Sequence, residues 1–375
     1  MRDVDVIVVG LGGMGSAALY HLARRGAAPL GLDQYAVGHT LGSSHGHSRS
    51  FRILYHDALY VRMVQDALPL WLDLEDVSGE QLLYQNGMLV FARPDNERFA
   101  QCVRVLKECG VQHHLLDCSE VVDLFPELQI PEEATACHTS DAGILDANCC
   151  VVAHAAQARR FGAAIEDDVA VHSIDLGGDR PELQTSAGRY RCSRLVVTPG
   201  PWAGKIFKQL NLPLHVTRQQ KFYFKPSRRE PYHPNRFPIY ADWDLHNYGF
   251  PVYGEGMKLA ADAHGPVTDP ETVDRTLDMG TCNQLKEWAE GIMPGLELSF
   301  VGGATCMYTM TSDKDFLIGP HPDNPNVFVG AGFSGHGFKF CTLVGKIMAD
   351  LTVDGTTSQP IERFRLDRFG TCGHD

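Results

Sequence analysis

The N-terminal stretch "VDVIVVGLGGMGSAALYHLARRG" constrains the fold of this chain more than any other segment. The near-continuous β-branched run Val4–Val9 predicts a strand that is buried on both faces, as in a parallel sheet. Glycines follow with the spacing Gly10-x-Gly12-x-x-Gly15, and the residues after them are small and apolar at helical intervals. This order predicts the strand–turn–helix unit of a Rossmann-like α/β fold.

Each residue type in this unit suits the binding of an adenine dinucleotide. Gly10 allows a tight turn, Gly12 lets the backbone approach a pyrophosphate, and Gly15 lets the helix pack closely on the strand. The free N–H groups at the helix N-terminus attract phosphate oxygens. The next strand ends at Asp33, whose carboxylate can accept hydrogen bonds from a ribose hydroxyl. These features predict a dinucleotide site without separating NAD from FAD.

Length, charge and cysteine usage narrow the class of protein. A chain of 375 residues exceeds the usual size of one compact core, so we expect two domains. The net charge of −13 argues against nucleic acid and against anionic membrane surfaces as partners. No apolar run is long enough to span a membrane, and the first one is too short for a signal peptide. The eleven cysteines include no C-x-x-C pair, so we predict no metal site and a reducing, cytoplasmic location.

Three later segments add to the dinucleotide prediction. "GSSHGHSRSFRI" (42–53) directly follows the ribose-binding strand, and we interpret its His47 and Ser50 as solvent-facing. "RLVVTPGPWAGKI" (194–206) reads as a strand that breaks at a Pro-Gly turn and continues into a helix. "NPNVFVGAGFSGHGFKF" (324–340) reads as a strand followed by closely spaced glycines and a helix that starts near Phe338. Glycines at such a site indicate backbone lying against a planar or charged group.

Together these segments resemble the monomeric sarcosine oxidase family of flavin-dependent amine oxidases. The most specific parts of the resemblance are "GSSHGHSR", "ATCMYTMTSDKDFLIGPHP" and "AGFSGHGFK", which occur in the order and spacing of that family. The resemblance covers nearly the whole chain. It implies that the dinucleotide is FAD, with NAD as the alternative cofactor.

The resemblance also implies a covalent link between the flavin and the protein. In this family the cysteine of the "CMYT" segment carries the flavin through a thioether to the 8α-methyl group, and Cys306 matches it. Such a link requires a thiolate, which a neighbouring cation would favour. The glycine turn and the resemblance together imply these further cofactor-binding residues: Gly10, Gly12, Gly15, Asp33, Ser44, His45, Arg49, Gly332, Gly335, Gly337 and Lys339.

On the substrate side, the resemblance implies that Arg52 and Lys339 hold the carboxylate of an amino acid. Arginine can grip a carboxylate with two hydrogen bonds, and lysine adds a point charge. Lys258 matches the lysine above the flavin that activates dioxygen, where a fixed positive charge stabilises the forming anion. The implied catalytic residues are Lys258, Arg49, His45 and Tyr248. The implied substrate-binding residues are Arg52, Lys339, Tyr248, Tyr308 and Asp262.

One position departs from the family pattern. The segment "NYGFPVYGEGMKLAAD" (247–262) is one residue shorter than in the family, and Asp262 stands where relatives have a pocket histidine four residues after the lysine. His264 lies two residues further on. This departure leaves the size of the substrate and the type of amine open.

The predicted fold class is α/β, with a Rossmann-like FAD-binding domain and a second α+β domain whose mixed or antiparallel sheet roofs the flavin. The inserted segments contain strand-like runs such as "QNGMLVFAR" and "RQQKFYFKP". We predict a discontinuous FAD-binding domain comprising 1–80, 144–214 and 306–375. The substrate domain is then 81–143 and 215–305.

The activity implied is oxidation of N-methylated or other secondary amino acids resembling sarcosine. Hydride passes to the flavin, the imine hydrolyses to an amine and an aldehyde, and dioxygen is reduced to hydrogen peroxide. Alternative substrates are cyclic or sugar-modified amino acids, such as pipecolate, proline-like or fructosyl amino acids. Two further alternatives are a dehydrogenase with a non-oxygen acceptor and a non-catalytic flavin-binding protein. The expected partners are a small-molecule amino acid or amine and dioxygen, and the expected state is a monomer.

Overall fold

The computed structural model describes residues 1–208, 212–262 and 265–370. His264 therefore lies outside the described residues. The helices are α1 Gly13–Arg24, α2 Ala58–Ser78, α3 Glu97–Glu108, α4 Cys118–Leu124, α5 Ala147–Arg160, α6 Ala203–Ile206, α7 Met279–Ile292 and α8 Cys341–Asp354. The strands are β1 Arg2–Val9, β2 Leu30–Leu32, β3 Arg49–Phe51, β4 Leu83–Tyr84, β5 Met88–Ala92, β6 His114–Leu116, β7 Thr135–Thr139, β8 Gly143–Leu145, β9 Ala164–Glu166, β10 Val171–Asp175, β11 Glu182–Thr185, β12 Gly188–Val197, β13 Leu214–Pro226, β14 Ile239–Asp242, β15 Asn247–Tyr253, β16 Gly256–Ala261, β17 Leu298–Thr311, β18 Leu317–His321 and β19 Asn324–Ala331.

The first sheet is built on β1, as the N-terminal pattern predicts. Strand β1 pairs in parallel with β2 and β12, β2 pairs in parallel with β9, and the end of β12 pairs in parallel with β19. Strands β10, β11 and β18 extend this sheet by antiparallel pairing. The last four residues of β1 are buried, which explains their β-branched, apolar character. The Rossmann-like prediction is confirmed.

The glycine turn between β1 and α1 has the geometry that its sequence predicts. Gly10 has φ +81°, a left-handed conformation that side chains rarely adopt. A β-carbon on Gly15 would collide with the Gly10 carbonyl oxygen and lie 2.5 Å from Thr198 Oγ1. Helix α1 therefore starts directly against the end of the strand. It ends at Arg24, and Gly26 with φ +85° turns the chain away.

Helices α1, α5 and α8 cover one face of this sheet and are in mutual contact through α1. The closest approach is at Gly345 of α8, where a β-carbon would lie 2.5 Å from the Ala17 carbonyl carbon. Helix α5, predicted over 146–163, begins after Asp146, whose carboxylate accepts a hydrogen bond from the Cys149 backbone N–H at 3.0 Å. These contacts fix the N-terminus of α1 relative to that of α8.

The second sheet has the order β17-β13-β16-β15-β14-β5-β7-β6. Its pairs are antiparallel except for β5 with β14, so the predicted mixed sheet is confirmed. One face packs on α7 in a core that includes Phe222, Phe224 and Trp288. A small third sheet contains β3, β8 and β4. No helix among the described residues is both long enough and apolar enough to cross a membrane.

The helix predicted to start near Phe338 starts differently in the structure. Residues Phe338–Phe340 form a 3₁₀ turn, and α8 follows from Cys341. The indole of Trp71 donates a hydrogen bond of 2.8 Å to the Lys339 carbonyl oxygen, which draws that carbonyl away from regular α-helical pairing. Lys339 thus lies in a tight turn that α2 holds in place.

Candidate active site

Two adjoining cavities open where the parallel strands of the first sheet end. The narrower cavity has a volume of about 440 Å³ and the wider one of about 1060 Å³. Both are lined by the same five residues, namely Gly12, Ser43, Ser44, Thr198 and Gly200. The shared lining makes one elongated space at the carboxyl ends of the strands, where α/β sheets bind their ligands.

Asp33 lies at the narrower cavity, directly after β2. Its carboxylate accepts hydrogen bonds from the backbone N–H groups of Leu11 at 2.6 Å and Tyr35 at 2.9 Å. Burial raises the pKa of the Asp33 carboxyl, while these two bonds oppose the rise. The indole N–H of Trp202, which also lines this cavity, is buried without a partner among the described residues. The cavity therefore offers both an acceptor and a free donor to a polar ligand.

Residues 43–48, here called the 43–48 loop, reach the wider cavity through Ser43 and Ser44, which line it. The Arg49 guanidinium donates to the Ser43 carbonyl oxygen at 3.0 Å and to the His45 carbonyl oxygen at 2.7 Å. Lys221 Nζ donates to the same His45 carbonyl oxygen at 3.2 Å. Two cations from β3 and β13 thus converge on this loop.

Lys258 reaches the same loop from β16. Its Nζ donates to the Ser48 carbonyl oxygen at 2.7 Å, and it lies 3.6 Å from the centroid of the Phe250 ring. The predicted lysine is therefore in the cavity, bonded to a carbonyl and an aromatic face. Arg49, Lys221 and Lys258 form no ion pair with a carboxylate within the described residues. Three basic side chains therefore contact the 43–48 loop.

Burial lowers the pKa values of Lys221, Lys258 and His45. Desolvation, followed by the charge of Arg49, lowers the pKa of Lys221 to about 8 and holds that of Lys258 well below its usual range. Desolvation and the neighbouring Lys221 lower the pKa of His45 to about 3. Its Nε2 atom is buried without a partner in the part of the chain that the structure describes. His45 is thus a neutral imidazole at physiological pH.

Cys306 lies on β17 beside the 43–48 loop and lines the wider cavity. Its Sγ atom is 4.0 Å from an Arg49 nitrogen and donates long hydrogen bonds to the carbonyl oxygens of Ser43 at 3.7 Å and Met307 at 3.8 Å. The thiol is buried next to a permanent cation.

The two residues predicted to hold a carboxylate meet around Tyr55. Lys339 Nζ donates to the Tyr55 hydroxyl at 2.9 Å and to the His336 carbonyl oxygen at 2.8 Å. The Arg52 guanidinium carbon lies 4.4 Å from the centroid of the Tyr55 ring, and the group donates to the Leu54 carbonyl oxygen at 2.8 Å. Desolvation and the charge of Arg52 hold the pKa of the buried Lys339 amine well below its usual range. A carboxylate bound here would restore the charge on Lys339.

Tyr248, Tyr308 and Asp262 line the same cavity from β15, β17 and the end of β16. Burial, and after it the charge of Asp262, raises the pKa of Tyr248 to about 12. Burial raises the pKa of Tyr308 further. Both phenols are therefore protonated at physiological pH. The Asp262 backbone N–H donates to the His246 carbonyl oxygen at 2.6 Å, which continues the pairing of β15 with β16.

Comparison with known proteins identifies the family. Residues 5–351 match the family described as DAO, FAD dependent oxidoreductase. The chain belongs to this family. It is an FAD-dependent oxidoreductase, and within the family it groups with the sarcosine oxidases, as the resemblance of its motifs implies.

Two relatives and one solved structure illustrate the similarity of this FAD-dependent oxidoreductase to known proteins. It is 37% identical to a monomeric sarcosine oxidase of Streptomyces avermitilis, with 98% of both chains covered. It is 32% identical to a peroxisomal sarcosine oxidase of Homo sapiens, covering 98% of this chain and 97% of the relative. The fold is shared with NikD, an unusual amino acid oxidase essential for nikkomycin biosynthesis, at a TM-score of 0.87, 23% identity and 98% coverage of both chains.

The residues around the cavities fit FAD. The glycine turn, the Asp33 carboxylate and the unpartnered Trp202 indole suit the adenosine diphosphate portion. The wider cavity, with its uncompensated cations at the 43–48 loop, suits a flavin that becomes anionic on reduction. Gly13 N–H donates to Ser44 Oγ at 2.9 Å, so Ser44 occupies one of the free amides at the start of α1.

The glycines before α8 are required for a reason that the sequence pattern did not indicate. A β-carbon on Gly335 would lie 2.5 Å from the Tyr308 ring, and one on Gly332 would lie 2.5 Å from the Thr311 methyl group. A β-carbon on Gly337 would collide with Phe333. These glycines let protein side chains approach the backbone. Contact with a planar ligand was the interpretation from sequence, and it is a prediction still.

Sequence reasoning missed two residues of the wider cavity and misplaced one. Lys221 was treated only as part of a strand, although a lysine between apolar and aromatic residues in "RQQKFYFKP" was the available signal. Tyr55, three residues after Arg52, carried no such signal. Ser50 was interpreted as solvent-facing, but it lines the cavity because β3 pairs with β8 and turns that face inward. The described residues contain no cluster of metal-ligating side chains.

Proposed function

We propose that this FAD-dependent oxidoreductase is an oxidase of N-methylated or other secondary amino acids. The observation that carries the proposal is the pair Arg52 and Lys339, which line the wide cavity with Lys258 and form no ion pair with a carboxylate among the described residues. Two cations at one point of a cavity fit a substrate carboxylate. The names of the sarcosine oxidases among its relatives support the same substrate class.

The protein groups of the proposed site orient the substrate and set its charge. Arg52 and Lys339 hold the carboxylate, and the protonated Tyr248 and Tyr308 phenols line the space for the amine and its substituent. The cations around the 43–48 loop disfavour an ammonium at the reacting position. When bound, the flavin accepts hydride from the carbon next to the amine nitrogen and then passes two electrons to dioxygen.

The products follow from this chemistry. The imine formed by hydride loss hydrolyses to a primary amine and an aldehyde when the nitrogen carries a methyl group. A cyclic substrate would leave a cyclic imine. Lys258 provides a positive charge for the anion that forms as dioxygen is reduced to hydrogen peroxide. This charge favours an oxidase over a dehydrogenase with another acceptor.

The proposal includes covalent attachment of FAD through a thioether between Cys306 and the flavin 8α-methyl group. Support comes from the burial of the thiol in the cavity and from Arg49, whose nitrogen lies 4.0 Å from Sγ. Arg49, His45 and Lys258 are proposed to act at the flavin. The division into an FAD-binding domain and a substrate domain, the cytoplasmic location and the monomeric state stay predictions.

The proposed activity is tested by anaerobic mixing of the purified enzyme with sarcosine, N-methyl-L-alanine, L-proline, L-pipecolate and glycine. Bleaching of the flavin absorption by the N-methyl compounds, followed by stoichiometric hydrogen peroxide on admission of air, is the expected result. Bleaching by the cyclic compounds alone would favour the alternative substrates. Bleaching without peroxide would favour a dehydrogenase, and a flavin that no amine reduces would refute the enzyme assignment.

A further inference from the structure

Five aspartates line the wide cavity, and four of them are occupied by protein partners. The fifth is Asp262. Each of the other carboxylates accepts hydrogen bonds from named donors within the chain. These pairs are Asp242 with Trp288, Asp244 with Asn96, Asp313 with Arg368 and Asp315 with Tyr60 and Arg363.

Asp262 differs because its carboxylate has no hydrogen bond and no ion pair within the described residues, while its side chain is exposed at the cavity. Its charge nevertheless acts on two buried groups of the site, Tyr248 and Lys339. After burial, it is the largest influence that raises the pKa of Tyr248, and it also acts on the buried Lys339 amine. A negative charge therefore faces the substrate space within electrostatic reach of Lys339 and Tyr55, without a counter-ion in the part of the chain that the structure describes.

The β15–β16 hairpin contributes both Lys258, which is proposed to act at the flavin, and Asp262 to the cavity. Side chains of Lys258, Ala260 and Asp262 point to the same side because alternate residues of a strand share a face. Tyr248 pairs with Ala260, and the side chains of Tyr248, Lys258 and Asp262 all line the cavity. Four residues of extended chain separate Lys258 from Asp262 by roughly 13 Å. A substrate held at the carboxylate clamp can thus extend a side chain along this face.

We infer that Asp262 binds a second, non-reacting cationic group of the substrate, so that the preferred substrate is a secondary amino acid whose side chain ends in an ammonium or guanidinium. This inference rests on the proposed function, because it assumes that Arg52 and Lys339 hold an amino acid carboxylate. That carboxylate neutralises the clamp, so the cationic end of the substrate meets an anion at the cavity that has no hydrogen-bond or ion-pair partner among the described residues.

The test compares two substrates of equal shape and different charge. Nα-methyl-L-lysine and Nα-methyl-L-norleucine are assayed for kcat/KM with the wild-type holoenzyme, Asp262→Asn and Asp262→Glu. We expect the wild type to prefer the lysine compound by about 3- to 10-fold, the range of a partly exposed charge pair. The preference should fall toward one in Asp262→Asn through KM, persist in Asp262→Glu, and weaken with added salt. Because Asp262 also acts on Tyr248 and Lys339, its replacement changes kcat/KM for both compounds by a common factor, so the ratio of the two values, and neither value alone, measures the charge pair.

The outcomes distinguish failure of the role of Asp262 from failure of the proposed function. Oxidation of the norleucine compound without preference for the lysine compound would overturn the role of Asp262 and leave the proposed function intact. An unchanged preference in Asp262→Asn would also overturn that role. If neither compound reduces the flavin, the proposed function fails and the inference falls with it. The Asp262→Glu variant separates loss of charge from loss of structure, since it retains the carboxylate.

Discussion

Lys258 and Phe250 face each other across the pairing of β16 with β15, and the lysine Nζ lies 3.6 Å from the centroid of the phenyl ring. The amine is thus held by an aromatic face and a backbone carbonyl, and neither group is a counter-ion. Burial holds the pKa of this amine well below its usual range, and an anion bound beside it would raise that pKa again. Lys258, packed against Phe250, is thus a basic group that becomes protonated when a negative ligand binds beside it.

Replacing Lys258 by methionine should affect the two half-reactions differently. We expect the reaction of the reduced enzyme with dioxygen to slow by about 10²-fold or more, because a fixed charge facing the forming anion is lost. Reduction by substrate under anaerobic conditions should change far less. Stopped-flow absorbance measures both steps, with Lys225→Met as a control, since Lys225 is exposed on β13. Equal effects on both steps would contradict the role of Lys258.

The Cys306→Ser variant should release its flavin when the protein is precipitated with acid. The wild type should keep the yellow colour in the pellet, on a peptide that contains Cys306, because the thiol lies beside Arg49 at the wide cavity. Mass spectrometry of the flavin peptide checks the site of attachment. Cys192→Ser is the matched control, a buried cysteine in the core of the first sheet, and should retain the colour. Flavin that stays bound in Cys306→Ser would refute this site.

Replacing Arg52 by glutamine should weaken binding of the substrate carboxylate. Loss of charge-assisted hydrogen bonds predicts a decrease of about 10- to 100-fold in kcat/KM, mainly through KM. Titration with acetate gives a second measurement, because a simple carboxylate should perturb the flavin spectrum of the wild type and not that of the variant. Arg62→Gln, on the exposed side of α2, provides the control. A normal KM in Arg52→Gln would place the carboxylate elsewhere.

The pH dependence of the flavin spectrum should reflect the protonation of the Lys221 amine. Desolvation and Arg49 lower the pKa of this buried amine to about 8, so it carries a charge below that pH and loses it above. We expect an absorbance change centred near pH 8 in the wild type and its absence in Lys221→Met. Lys221→Arg should keep the low-pH spectrum throughout, because arginine stays protonated. The same inflection in Lys221→Met would assign it to another group.

Alanine substitutions at Gly335 and Gly355 separate the cost of a left-handed backbone angle from the cost of a steric collision. Both have left-handed φ angles, +79° and +75°, but a β-carbon on Gly335 meets the Tyr308 ring at 2.5 Å, whereas Gly355 has open space. Gly355→Ala should lose about 1–2 kcal/mol of the free energy of unfolding and keep its activity. Gly335→Ala should lose more stability and also kcat/KM, because Tyr308 must move. Urea unfolding and steady-state assays measure both, and equal behaviour would exclude the collision.

The sequence predicts most of the first sheet and much less of the cavity wall. The run Val4–Val9 and the glycine turn are local patterns, and local geometry decides both. Lys221 reaches the His45 carbonyl only because β13 lies between β16 and β17, a long-range pairing that periodicity does not encode. The sequence likewise does not show that the Asp262 carboxylate lacks a hydrogen-bond partner among the described residues, because that depends on which donors the other aspartates contact. The motifs indicated which residues meet but not the partners that hold them.

The contact of Gly345 with Ala17 joins elements from opposite ends of the chain. The glycine turn that faces the cofactor precedes the whole second sheet in the chain, whereas β19 and Lys339, which complete the cavity, follow it. A nascent chain that ends before residue 324 therefore has a strand–turn–helix unit with an open side. We therefore expect FAD to be held only after β19 and Lys339 have folded onto this unit. Termination before residue 324 should accordingly yield colourless protein.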